Sequence, residues 1–423
     1  MSKRVEADYD VIVCGGGAAG VGAAVGAAKA GAKVCLVEKY AFLGGAATNA
    51  QVLAYCGFYQ QGEAPVQAVG GVGAEVVAEM QAFGFPAAPH RSETTGNWII
   101  PLDPEILKHA LDRLVRRHGI AVKLHTRVAA VTRTARLLEG VTLAGMGGRT
   151  RAAAEAFVDA SGDANLAMLA GVDFRVGDYE NRLQAVTLPM RIGGFDPGRS
   201  IDRKALTDAI VAYNRSGRYP IARTDGGIIV RLPGSRDVWW MIVDLAMPDL
   251  SSESFTAAEM TARDMAFEYM TLLRDTVPGF ERAFLAATGP QIGIRESRHP
   301  RSRYEMQAED VLSGRLREDG IARAAWPIEL HGEAGKPVYR PVGGAGYCHV
   351  PYDSIRAFGL DNLWYGGRVI GADPDAYGSI RVMGTAFATG EAAGVAAALS
   401  AGRERPADPA AVRAQLSRQG ALV

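Results

Sequence analysis

The chain of 423 residues carries no net charge, since 46 Lys and Arg offset 46 Asp and Glu. That balance provides no field to draw in nucleic acid or an anionic membrane, and neither is expected as a partner. The cysteines are only four, Cys14, Cys35, Cys56 and Cys348, with no CxxC pair among them. The spacing argues against a disulfide framework or an iron–sulfur cluster and fits a reducing, cytoplasmic location. Long leucine-rich runs are also missing. Lys3 and Arg4 do precede an apolar stretch, but Asp8, Asp10, Lys29 and Lys33 interrupt it, so neither a targeting segment nor a membrane span is expected. No metal site is expected either, because Cys348 and His349 are neighbours that point oppositely on an extended chain, with no further ligands in view.

What the chain has in abundance is glycine, 51 residues of it. "VIVCGGGAAGVGAAVGAAKAGAKVCLVEK", Val11 to Lys39, crowds glycine and alanine between two apolar runs. Glycine costs backbone entropy, so such a cluster implies that the main chain approaches something closely. Tyr9 to Val13 predicts a buried strand and Ala18 to Ala30 a helix, with Gly15, Gly17 and Gly20 between them in the spacing GxGxxG. This arrangement turns tightly, lets a pyrophosphate touch the backbone, and aims free helix N–H groups of residues such as Ala18 and Ala19 at the phosphates. Lys33 to Val37 predicts a second strand ending in Glu38, placed to bind a ribose hydroxyl.

Both NAD and FAD fit that pattern, and later blocks choose between them. "KYAFLGGAAT" carries a second glycine pair, Gly44 and Gly45. A helix capped by Asp103 with Pro104 at its first position leads to a strand around Val122 to Val131. "AFVDASGDANLAMLAG" predicts a strand, a Ser161-Gly162-Asp163 turn and a helix. Near the end come a glycine turn at Gly366 and Gly367 and a long small-residue helix reaching about Ala401.

These blocks resemble the FAD-dependent oxidoreductases of the glutathione-reductase-like, two-dinucleotide-binding-domain flavoprotein superfamily. "IGIRESRHPRSRYEMQAEDVLSG", "WPIELHG", "VPYDSI" and "SIRVMGTAFATGEAAGVAAA" narrow the likeness to the subfamily labelled FAD-dependent oxidoreductase. The resemblance implies an α/β fold, with a Rossmann-like FAD-binding domain on a parallel sheet and an inserted α+β substrate domain on an antiparallel sheet. It places the FAD-binding domain in residues 1–60, 101–172 and 340–423, and the substrate or cap domain in 61–100 and 173–339. It further implies that Gly15, Gly17 and Gly20 hold the pyrophosphate and Glu38, followed by Lys39, the adenosine ribose. Gly44, Gly45, Ala46 and Thr48 would line the linker, and Val128 would offer its backbone to the adenine. Ser161, Gly162, Asp163, Gly367 and Arg368 would complete the cradle, and Ser379, Arg381, Val382 and Gly384 would lie beside the isoalloxazine ring. A helix N-terminus there would stabilise the reduced flavin anion. Thr48 to Gln51 contain no histidine for covalent attachment, so dissociable FAD is expected. A second GxGxxG with strand and helix around it is absent, which leaves oxygen, a quinone, a redox protein or a transient nicotinamide as electron partner.

The middle of the chain predicts strands at "LQAVTLPMRIGGF", "GGIIVRLPG" and "DVWWMIVDLAM" and an amphipathic helix beginning after Thr256. Adjacent Trp239 and Trp240 point oppositely on a strand, with core packing for one and a surface or interface place for the other as the favoured expectation. Catalytic candidates are Arg295, Glu296 and Arg298 as an anion clamp, His331 as a base oriented by Glu329, Arg381 for an anion or the flavin, and His349 with Tyr352 lining the site. Arg340 is a weaker candidate, and Cys56 and Tyr59 are candidates for the flavin's other face. The reading is a dehydrogenase or oxidase that passes hydride from a small polar or anionic substrate to flavin N5. Alternatives are a flavin-dependent C=C reductase, a monooxygenase, or a non-redox flavoprotein with structural FAD; a homo-oligomer is compatible with each.

Overall fold

The β-branched run Tyr9–Cys14 is buried from Val11 onward, as a strand must be when sheets and helices cover both its faces. It pairs in parallel with Val34–Val37 on one side and with Ala154–Asp159 on the other. Ala121–Lys123 extends the sheet beyond Val34–Val37, and Leu363–Tyr365 adds a further parallel strand beside Phe157–Asp159. This computed structural model describes residues 7–93, 95–332, 335 and 337–423. The strand Gly148–Asp159 serves two sheets at once: its buried end joins the parallel set, while its exposed start forms an antiparallel meander with Leu138–Gly145 and Arg127–Arg133. The single strand expected around Val122 to Val131 is therefore two. They are separated at His125, whose φ of 51° breaks the pleat and whose N–H donates to the Tyr40 carbonyl.

Two helices rich in glycine and alanine, Ala18–Lys29 and Met383–Ser400, pack backbone against backbone. A Cβ on Gly22 would stand 2.5 Å from the Phe387 carbonyl oxygen, and Cβ atoms on Gly390 and Gly394 would overlap the carbonyls of Ala19 and Ala23. Two glycines of the opening stretch, Gly22 and Gly26, thus answer the far end of the chain rather than a ligand. Gly71–Ala82, from the region expected in the cap, buries Val72, Val76 and Met80 in this same larger core.

A second core belongs to the antiparallel sheet of Ile228–Arg231, Val238–Leu245, Val186–Gly193 and Phe284–Thr288, in that order. Helices Arg203–Tyr213 and Ser252–Thr276 cover one of its faces. The second helix starts earlier than its sequence suggests, because Ser251 caps it by accepting from the Ser254 N–H at 3.2 Å. Trp239 and Trp240 do point oppositely, yet neither reaches the surface. Trp240 sits in the sheet's own core, and Trp239 joins the larger one, donating from Nε1 to the Gln51 carbonyl at 2.9 Å. The sheet is covered on both sides.

No single helix among the described residues is long and apolar enough to cross a membrane; the apolar pair Pro374–Ile380 and Met383–Ser400 is bent by 93° and buried. One buried charge stands out. Glu391 caps Gly71–Ala82 from a distance, accepting from the Val72 N–H at 2.9 Å, while its Oε1 has no partner. Burial raises its carboxyl from 4.5 to about 7, with the Val72 N–H and Lys29 pulling the other way. A carboxyl that binds its proton more tightly folded than unfolded favours the fold in acid, so its contribution is lost as pH rises from about 4.5 through 7. Glu391→Gln should gain on the order of 3 kcal/mol over the parent at pH 8 and only about 1 kcal/mol or less at pH 5 in urea unfolding. An equal difference at both pH values would assign the pH dependence elsewhere.

Candidate functional site

The GxGxxG turn sits where the first strand gives way to the first helix, and its three glycines do different things. A Cβ on Gly20 would overlap the Gly15 carbonyl, so Gly20 closes helix onto strand. A Cβ on Gly17 would meet only Gly45 Cα at 3.5 Å, an ordinary contact, so the protein itself leaves room there. Gly45, with φ of 58°, lies against Gly17, and the Gly44 N–H donates to the Gly16 carbonyl at 2.8 Å, which brings the two glycine loops together. Gly367 closes the third side, since a Cβ on it would lie 2.8 Å from that of Ala19.

Both long glycine-alanine helices begin without a side-chain cap and without an acidic residue in the first turn. By contrast Asp103, Asp202, Ser251, Asp373 and Asp408 cap five other helices. Uncapped N–H groups with the positive end of the helix dipole behind them suit an anion. Glu38 closes the second strand, accepting from the N–H groups of Gly16 at 2.6 Å and Tyr40 at 2.9 Å. Asp163 accepts from Arg368 at 2.7 Å and from Ser297 at 3.0 Å, so the Ser161-Gly162-Asp163 turn and the glycine-arginine block meet through an ion pair. Asn49, just after Thr48, is buried with both amide atoms unpartnered, as is the hydroxyl of Thr385 in the first turn of Met383–Ser400. Orphaned polar atoms in a cradle with bare backbone and uncapped helix ends fit a long, polar, anionic cofactor such as FAD.

Some of the residues marked for FAD have other work. Lys39 lays its ammonium over the Tyr40 ring, and Val128 is paired with Leu143 next to a bulge in the meander. Thr48 bonds the Leu43 carbonyl, and Ser379 donates to the Trp326 carbonyl. Ala46 opens a four-residue helix, and Val382 and Gly384 lie under the Cys56-Gly57 backbone.

Beyond the uncapped start of Met383–Ser400 lies a cluster of buried charges. The strand Ile328–Leu330 pairs with Val338–Arg340, and alternation along it puts Glu329 and His331 on one face. Glu329 Oε1 accepts from Tyr339 at 2.6 Å and from His331 Nε2 at 3.2 Å; Oε2 accepts from Trp326 at 2.9 Å and lies 3.4 Å from Arg381. Burial would raise this carboxyl, but the bonds from His331, Arg381 and Tyr339 hold it well below the ordinary range. Burial foremost, and then Arg295, lower His331 to about 4. The imidazole is therefore neutral near pH 7, gives its Nε2–H to Glu329, and keeps a buried Nδ1 with no partner.

Of the "GIRESR" charges Arg295 and Glu296 are buried and Arg298 is half-buried, and they fan out. Arg295 pairs with Asp244 at 3.0 Å and bonds the Ala185 carbonyl, Glu296 holds His299 at 2.9 Å and the Gln184 N–H, and Arg298 reaches the Asp163 carbonyl. As a free anion clamp this trio is corrected, because each charge already has a protein partner. His349 is turned to the Arg317 backbone and Tyr352 to the Ala407 carbonyl, so the structure does not bring these two to His331. Arg340 pairs with Asp375. Tyr339, Trp326, Gln184, Asp244, His299 and Asn49 went unnoticed in the sequence. Trp326 opens the "WPIELHG" block and His299 stands three residues from Glu296, whereas Gln184 and Asp244 are exposed only by pairing across long separations. No group of His, Cys, Asp and Glu suited to a metal occurs among the described residues.

The cradle defines a dinucleotide-binding enzyme. The family described as FAD dependent oxidoreductase matches residues 10–417, and the chain belongs to it; its cofactor is FAD. No curated protein matches the chain. Among solved structures it is similar to a geranylgeranyl bacteriochlorophyll reductase-like protein from Thermoplasma acidophilum, at 15% identity over 93% of this chain and 78% of that one, with a TM-score of 0.46. It is also similar to the flavin-dependent brominase Bmp2, at 14% identity over 97% and 83%, with a TM-score of 0.48. OxyS anhydrotetracycline hydroxylase from Streptomyces rimosus is a third, at 13% identity over 97% and 65%, with a TM-score of 0.47. The chain spans 64% of the length of AlpK and 65% of that of OxyS.

Gly17→Ala and Gly20→Ala separate cofactor from packing. Gly17→Ala should leave apoprotein unfolding within about 1 kcal/mol of the parent while weakening FAD uptake at least roughly tenfold in flavin-fluorescence titrations. Gly20→Ala should lose both folding stability and flavin.

Proposed function

We propose that the protein is an FAD-dependent dehydrogenase or oxidase that removes hydride from a small polar or anionic organic substrate, with His331 as the base. The observation that carries this is the unpartnered, buried Nδ1 of a neutral imidazole whose other nitrogen is fixed by Glu329. Bound FAD supplies the acceptor for the hydride that leaves the substrate carbon. The chain's residues handle the proton and the orientation. Nδ1 takes the proton released by the substrate, and Glu329 stabilises the imidazolium that forms, being itself held by Tyr339, Trp326 and Arg381. Arg381, at the bend between Pro374–Ile380 and Met383–Ser400, binds the anionic part of the substrate.

FAD is held without a covalent bond in this reading, by the glycine loops, Glu38, Asp163 and Arg368. The four-stranded sheet and its two helices form the cap over the cofactor, a division supported by their self-contained second core. The parallel sheet with its three-stranded meander supports placement in the glutathione-reductase-like superfamily.

Anaerobic mixing of the yellow holoenzyme with candidate alcohols, amines and carboxylates tests the assignment by bleaching of the flavin. His331→Asn should slow bleaching by about 10²–10⁴-fold with flavin content unchanged, and bleaching at the parental rate would remove His331 from the role. Because the imidazole titrates near 4, the rate should be flat with respect to this group from pH 6 to 8 and fall as pH drops toward 4.

A further inference from the structure

Glu329 holds two side chains that are each half satisfied. His331 gives one nitrogen to Oε1 at 3.2 Å, and Arg381 lies 3.4 Å from Oε2 and donates to the Glu329 carbonyl at 3.2 Å. Each keeps one buried polar atom that has no partner in the protein, Nδ1 of His331 and Nε of Arg381. The two are opposite in kind. The imidazole nitrogen carries a lone pair and calls for a hydrogen-bond donor, whereas the guanidinium N–H calls for an acceptor, best an anion. A ligand that satisfies both has a donor and an anion in one small molecule.

We propose that the substrate is a hydroxycarboxylate, bound with its carboxylate on Arg381 and its hydroxyl donating to Nδ1 of His331. This rests on the reading of the Glu329 cluster as the substrate end of the site and sharpens it. An amino acid would bring an ammonium to the same place, and two features disfavour that. Burial together with the Arg295 and Arg381 charges opposes positive charge at the imidazole, and the same field acts on an ammonium next to it. Glu329 offers little compensation, since Tyr339 and His331 occupy one oxygen and Trp326 and Arg381 the other. A hydroxyl brings no charge and answers the lone pair directly.

The test is titration calorimetry on oxidised holoenzyme without oxygen, using glycolate, lactate and 3-hydroxybutyrate against acetate, propionate and butyrate, and against glycine and alanine. At least one hydroxy acid should bind roughly tenfold or more tightly than its parent carboxylate and its amino analogue. His331→Asn should erase that advantage while leaving the parent carboxylate's affinity, and Arg381→Gln should lose both. Parent acids or amino acids that bind as tightly as every hydroxy acid overturn the proposal, and this comparison uses unaltered enzyme, so it does not depend on a variant folding. Flavin bleaching by the same compounds separates the two layers. Bleaching by amines alone overturns the hydroxycarboxylate and keeps hydride removal; tight hydroxy-acid binding with no bleaching by any donor keeps the binding site and overturns hydride removal.

Discussion

Everything that positions the cofactor cradle depends on two helices touching through their backbones. Ala18–Lys29 follows the first strand, and Met383–Ser400 lies near the other end of the chain, yet Gly390 and Gly394 rest on the carbonyls of Ala19 and Ala23 with no space for a methyl group. Contact this close fixes the helices' mutual depth and rotation, because interiors packed at crystal density do not deform smoothly. The fixed geometry sets one uncapped helix start beside the GxGxxG turn and the other beside Arg381. Gly367 and Thr389 strengthen the join, the Gly367 N–H donating to the threonine hydroxyl at 3.1 Å.

A second constraint, electrostatic this time, organises the other end of the site. Glu329 is a buried carboxylate surrounded by four donors, and each of them is immobilised by serving it. Were the carboxylate neutral, His331 would lose the acceptor that selects its tautomer and Tyr339 its hydroxyl partner. Stable burial of such a charge requires that its lone pairs be met almost completely. The segment Gln184–Ala185 then ties this cluster to the "GIRESR" stretch. Gln184 donates its N–H to Glu296 and accepts from the His331 N–H, while Arg295 bonds the Ala185 carbonyl. Residues from three distant parts of the chain are thereby held at one place.

How much of this was legible in the linear sequence follows from how local each cause is. The first strand, the capped helix Pro104–Arg117 and the Ser161-Gly162-Asp163 turn are written in neighbouring residues, and their boundaries agree to within a residue or two. Glu329 and His331 were readable as a pair because alternation along a strand is local too. Gly22 and Gly26 lie in the expected helix, but nothing local shows that their partner is a helix at the other end of the chain. The aromatic pair Trp239-Trp240 carried the correct opposition but not its consequence, since only packing reveals that both faces of that sheet are covered. Arg295 and Arg298 read as a clamp because sequence shows charges and not the Asp244 and Asp163 that occupy them.

The sequence by itself determined the glycine turn, the acid that ends the second strand and the small-residue helix, and with them the FAD dependent oxidoreductase family, because nucleotide binding by bare backbone depends on residue types at short, fixed spacings. Only the tertiary structure decided which polar groups are spent on the protein and which are left over. His349 and Tyr352 are spent on loops, whereas Asn49, Thr385, His331 and Arg381 each keep a buried atom unanswered. Satisfaction of a hydrogen-bonding atom is set by what lies within about 3 Å of it in space, and no reading along the chain supplies that distance.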